Sequence, residues 1–136
     1  MSVFAFTDGF VSVNGVDLSD HVAQISISTE AADLDDTAMG DTYHSRIGGL
    51  KDWSVTLQFH QDFAAGEVDA TLFPLLGTTT AVIIRPDNSD GVSATNPNYS
   101  GSVLVNDYKP LDGSVGDLAG VSVTWPGAGT LTRATA

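Results

Sequence analysis

Residues 50–85 read LKDWSVTLQFHQDFAAGEVDATLFPLLGTTTAVIIR, and their patterning decides the fold class. Trp53, Val55, Leu57 and Phe59 alternate with Ser54, Thr56, Gln58 and His60, the two-residue period of a strand with one buried and one wet face. That apolar face requires a cover. Ala65, Val68, Leu72 and Leu75 recur at three- to four-residue steps and predict a short helix to lie over it, with Glu67 and Asp69 near its positive N-terminal end. Pro74 ends or kinks this helix, because its ring clashes with the preceding turn and drives Phe73 away from helical angles. Past Gly77, the run Ala81, Val82, Ile83, Ile84 predicts a strand buried on both faces.

Upstream, FVSVNGVDL (10–18) holds Asn14 and Gly15 between two β-type runs, a hairpin signal because both residues tolerate positive φ. Ala23, Ile25 and Ile27 then alternate with Gln24, Ser26 and Ser28, predicting a second half-buried strand whose wet face is uncharged, like that of Ser54 to Gln58. One continuous sheet and two sheets both accommodate this pattern. Residues 30–49, EAADLDDTAMGDTYHSRIGG, show no sustained period, and a stretch of this length without one inside a compact domain is generally functional or disordered. It mixes acids with anchor-type side chains, which suits an arm contacting another subunit, and Asp33, Asp35, Asp36, Met39, Tyr43, Arg46 and Ile47 are the interface candidates.

Downstream, PDNSDGVSATNPN (86–98) is turn-rich and predicts a surface loop. Tyr99, Gly101, Val103 and Val105 mark a further strand, KPLDGSVGD another turn-rich connection, and Ala119, Val121, Val123 and Trp125 the next strand. GTLTRAT follows a Pro126 and Gly127 break as the last. The expected fold is mainly β with one short α-helix, a β-sandwich or barrel of about seven strands, forming a single domain over 1–136.

Seventeen acidic and five basic residues give a formal charge of −12, spread from Asp8 to Asp117. Such a surface repels phosphates, since nucleic-acid affinity comes mainly from Lys and Arg displacing counterions, so stable DNA binding is not expected. Without cysteine there is no disulfide, thiolate ligand or thiol nucleophile. The longest apolar run is far shorter than a membrane span, and MSVFAFTDG lacks the basic start and apolar core of a leader peptide, so no membrane partner and cytosolic synthesis are expected.

An EF-hand begun at Asp33 puts Ala38 and His44 where glycine and the bidentate Glu belong, and one begun at Asp87 puts Val92 and Asn98 there, so neither matches. His21, His44 and His60 have no helical metal spacing and read as surface histidines. There is no GxSxG elbow, and Gly48 and Gly49 precede a strand instead of joining a strand to a helix. No catalytic, cofactor or metal residue is assigned. Trp53, Trp125 and Tyr99 are possible platforms for a glycan in an alternative reading, but both tryptophans stand in register with aliphatic residues, which favours burial.

In the order of its parts, namely the N-terminal hairpin, the long arm at 30–49, the strand–helix–strand unit at 50–85 and the closing VSVTWPGAGTLTRAT, the chain resembles the tail tube (major tail) proteins of long-tailed bacteriophages, and more distantly the tube proteins of contractile injection systems. The resemblance implies a structural virion protein that forms rings, usually hexameric, stacking into a tail tube that conducts the genome and catalyses nothing. It implies a barrel wall continuous between subunits, assembly in the bacterial host cytoplasm, and tail terminator, tape-measure and tail-tip proteins as partners. Double-stranded DNA would pass through without stable binding, and Gln24, Ser26, Ser28, Ser54, Thr56 and Gln58 are the candidate channel-facing residues. Many such proteins carry a further C-terminal domain; here the sequence stops at Ala136, and none is expected. A head–tail joining or decoration protein is the alternative within the same kind of particle.

Overall fold

The computed structural model describes all residues except 1, 2, 4, 90 and 136, so the leader reading of MSVFAFTDG, the Asp90 position of the 86–98 loop and the Ala136 chain end fall partly or wholly outside the described residues. The described chain forms β1 (Phe10–Val13), β2 (Val16–Asp17), a 3-10 turn (Ser19–His21), β3 (Val22–Asp35), β4 (Arg46–His60), α1 (Val68–Leu72), a second 3-10 turn (Phe73–Leu75), β5 (Thr79–Arg85), β6 (Asn98–Leu104), β7 (Gly120–Pro126) and β8 (Thr132–Ala134). They assemble into two antiparallel sheets, one ordered β2-β1-β5-β6-β8 and the other β3-β4-β7. The two-sheet alternative is therefore the one adopted. The structure is mainly β with one short helix, as expected, and its eight strands exceed the expected seven by counting the two-residue β2 separately.

Asn14 and Gly15 adopt φ of 51° and 80°, the left-handed pair that a two-residue hairpin turn demands. Val55, Leu57 and Phe59 on β4 and Val121, Val123 and Trp125 on β7 form one core with Val11, Val13, Val82, Ile84 and Val103 of the five-stranded sheet. Each fully buried side chain of this size contributes about 1.5–3 kcal/mol relative to exposure. Val68 and Leu72 join that core from α1, and Leu75 packs against it. The helix stops where Pro74 requires: α1 ends at Leu72 and a 3-10 turn carries the chain through Pro74. Ala65, expected on the helical stripe, is exposed and precedes the helix. At five residues α1 is about 7.5 Å long, too short to cover the β4 face, and the second sheet supplies most of the cover.

Three further expectations are corrected. β5 is buried on one face only, through Thr80, Val82 and Ile84, while Thr79 and Ala81 are exposed, because an antiparallel sheet backed by one layer leaves its other face in water. Ala23 is exposed, since a register shift between Val22 and Gln24 swings Val22 onto the core side and Ala23 off it. Ala119 is likewise exposed, just ahead of β7.

Candidate self-assembly surfaces

β3 and β4 continue as a two-stranded ribbon beyond the sandwich, pairing Asp33 with Gly48, Leu34 with Ile47 and Asp35 with Arg46. The arm expected over 30–49 is thus a paired hairpin with a register shift between Ala31 and Asp33, and residues 36–45 form its tip. The seven interface candidates all lie on this ribbon and are exposed. Met39 is 102% and Tyr43 87% accessible, and Leu50 at 89% extends the apolar series toward the base. Exposure of this kind leaves apolar area unburied within one copy.

The tip is nonetheless tied down. Thr37 N donates to Asp35 Oδ1 at 2.9 Å, Ala38 N to Asp41 Oδ2 at 2.8 Å, Asp36 N to the Ser45 carbonyl at 2.9 Å and Ser45 N to Thr37 Oγ1 at 2.8 Å. The Thr37 hydroxyl and amide hold the Asp35 carboxyl below its usual range. Arg46 Nε stands 3.8 Å from Asp33 Oδ2 and His44 Nδ1 3.5 Å from Asp35 Oδ2, both loose contacts in water.

The six polar candidates come together on one face of the three-stranded sheet, where Gln24 is opposite Gln58, Ser26 opposite Thr56 and Ser28 opposite Ser54. β7 extends the face with Ser122 beside Gln58 and Thr124 beside Thr56, the two threonine hydroxyls 3.3 Å apart. Between Glu30 and Asp52 at the arm end and His60 at the other, this face carries no charge. β3 and β7 bound the sheet, so each presents an edge without a strand partner among the described residues. From Val22 to Thr29 the β3 edge contains neither lysine nor proline, the residues with which monomeric β-proteins usually guard an edge.

Sequence reasoning missed His21. It is only 16% accessible, not a free surface ring, with Nδ1 at 2.8 Å from Asp20 Oδ1 and Nε2 at 2.9 Å from Asp62 Oδ2 and 3.4 Å from Glu67 Oε2. The hydrogen bonds to Asp62 and Asp20 push its pKa up, favouring the imidazolium form, in which both ring nitrogens donate to carboxylates. The adjacent Asp20 was the only local signal, since Asp62 and Glu67 are distant in the chain. Trp53 and Trp125 are 6% and 0% accessible and Tyr99 is half-buried, which removes the tryptophans as glycan platforms.

No family model and no curated protein matches the sequence. Among solved structures, the fold is similar to that of a chain in the virion of a native gene transfer agent particle, with a TM-score of 0.74 and 16% identity over 93% of this chain and 95% of that one. It is also similar to a chain in the tail of an empty gene transfer agent particle, an assembly of C6 symmetry treated by helical refinement, with a TM-score of 0.67 and 17% identity over 85% and 83% of the respective chains. The tail-type sandwich implied by the sequence resemblance is therefore the fold of this chain.

Proposed function

We propose that this chain is a single-domain, non-catalytic subunit of a phage-type tail, polymerising as six-fold rings that stack into a tube for genome delivery. The observation that carries the reading is the three-stranded sheet with two different outer edges, β3 and β7, neither paired to a further strand among the described residues, and one uncharged polar face. Joining β3 of one copy to β7 of the next is a heterologous contact, which closes into a ring when the rotation permits. Similarity to a chain of a C6 tail supports six as the number. The polar face then lines the lumen and the core side faces outward. A neutral lining in an acidic protein offers DNA no cation to release counterions against, so DNA slides without sticking.

On this reading the arm at 30–49 is the assembly element, the protein resides in the virion tail after assembly in the host cytoplasm, and its neighbours include terminator, tape-measure and tip proteins. Negative-stain imaging of the purified protein tests the proposal. Six-fold rings and hollow filaments of indefinite length are expected; a monomer at all concentrations would overturn it, and rings that stop at a single layer would favour a joining protein.

A further inference from the structure

The 3-10 turn at Ser19–His21 and the 61–67 connection from β4 to α1 meet at a single imidazole. His21 N donates to the Leu18 carbonyl at 3.0 Å, which sets the turn, and the ring is held between Asp20 on its own turn and Asp62 and Glu67 on the connection. Asp62 is itself fixed: Ala64 N donates to its Oδ1 at 2.9 Å, which leaves Oδ2 to take the ring at Nε2, also at 2.9 Å. A carboxylate on one ring nitrogen orients an imidazole and makes the other nitrogen a better ligand. That other nitrogen, Nδ1, stands 2.8 Å from Asp20 Oδ1, and donor atoms of Asp20, His21 and Glu67 all lie within 4.8 Å of one another. Two donors bound at about 2.1 Å to one ion are roughly 3–4 Å apart, so small side-chain movements seat all three on a single cation.

The local charge favours an ion there. Three carboxylates surround one imidazole, and none of them is paired with lysine or arginine among the described residues, so negative charge exceeds positive even when the ring is protonated. Glu67 Oε2 is 3.4 Å from Nε2, longer than the usual N–H···O bond of about 2.7–3.2 Å, so its carboxylate is not committed to the ring. The donor set names the class of ion. Calcium and magnesium take oxygen ligands, whereas one imidazole nitrogen among carboxylates suits a first-row transition cation such as Zn2+ or Mn2+. The position names the effect. The Ser19–His21 turn follows β2 of the five-stranded sheet and the 61–67 connection follows β4 of the three-stranded sheet, so an ion shared by them joins the two layers at this end of the sandwich.

We infer that Asp20, His21 and Glu67 form a site for a divalent transition-metal ion, with Asp62 as the positioning residue that orients the ring, and that the bound ion ties the two sheets together. The site lies within one copy and stands whether or not the chain forms tubes. Calorimetric titration of the metal-free parent with zinc chloride should give one site per chain. The thermal midpoint should rise by several degrees in saturating Zn2+, less in Mn2+ and little in Mg2+ at the same concentration, because an ion that binds only the folded state stabilises it in proportion to its affinity. In NMR spectra of the imidazole nitrogens, Zn2+ should shift His21 and leave His44 and His60 unmoved. His21→Gln also breaks the bonds to Asp20 and Asp62, so each variant is compared with itself in the presence and absence of Zn2+. Glu67→Gln removes a ligand without removing a hydrogen bond to the ring, and should leave the metal-free midpoint within a few degrees while weakening Zn2+ binding at least tenfold; Asp62→Asn should weaken it about 10–100-fold. Equal midpoint rises with Zn2+ and Mg2+, Zn2+ binding that survives His21→Gln, parental affinity in Glu67→Gln, or His21 signals unmoved by Zn2+ would each overturn the site and leave the group as a proton-held ion cluster.

Discussion

Trp53 and Gly127 are fitted to one another across the end of the three-stranded sheet. Gly127 N donates to the Trp53 carbonyl at 2.7 Å, and the Trp53 indole fills the volume a Cβ at Gly127 would need. The same indole donates from Nε1 to the Gly129 carbonyl at 2.8 Å, so a single core side chain fixes the path of the chain from β7 toward β8. The WPGAG phrase that marks a break in the sequence is thus a seat for a distant tryptophan.

Trp53→Ala should therefore cost about 3–5 kcal/mol, the usual penalty for emptying a large aromatic site, and loosen the 127–134 segment as well. Gly127→Ala, the smaller change in chemistry, should still cost about 1–3 kcal/mol because a buried and hydrogen-bonded ring has no room to retreat. Urea denaturation of both variants measures this. Midpoints equal to the parent's would show that the ring is not held as described.

The core was legible in the sequence because burial writes a period into it. Trp53 to Phe59 and Val121 to Trp125 each alternate against polar residues, and Asn14 with Gly15 has one common structural meaning. The arm was illegible as a ribbon for the converse reason: between Glu30 and Asp35 both faces are in water, so no alternation is selected and regular pairing looks like a loop. The Gln24, Ser26, Ser28 and Ser54, Thr56, Gln58 sets could be found strand by strand, but their registration opposite one another required the pairing. The His21 cluster depends on contacts between residues far apart in the chain, which no local pattern encodes.

Shortening the arm tests its role without touching the sandwich. Asp33 and Gly48 are paired across the ribbon, so replacing residues 34–47 by Asn-Gly reconnects the strands with a two-residue turn that suits their twist. The variant should melt within a few degrees of the parent yet form no stacked tubes in negative-stain images. Normal tubes from it would remove the arm from assembly.

The His21 clamp predicts a pH dependence with a definite sign. His21 has a folded pKa raised above 6.5, so its contribution is complete below that value and fades as pH rises through the folded pKa. Asp62 is lowered from 3.8, first by the Ala64 amide and next by His21, so its contribution is present above that value and is lost on acidification through its folded pKa. The clamp is strongest between about pH 4 and 6.5 and weakens above. Melting temperature followed from pH 5 to 9 should decline for the parent more than for His21→Gln. Parallel curves would show that His21 carries no linked proton.

Ser26→Lys probes the orientation of the polar face. Ser26 is exposed, stands opposite Thr56 and has no charged neighbour on its face between Glu30 and His60, so a lysine there is tolerated by the fold and changes the lining alone. In a six-fold ring it adds about six positive charges per layer, each able to displace a counterion from DNA, and affinity should then fall steeply with salt. Assembled variant tubes should retain double-stranded DNA in low salt and release it as salt rises, whereas parental tubes retain none. Thr79→Lys, on the outward face of β5, supplies the comparison, because DNA held by an exterior lysine is open to nuclease while DNA held in the lumen is shielded. Retention that is equally nuclease-sensitive in both variants would place the Ser26 face outside the tube and reverse the proposed arrangement of the sheets.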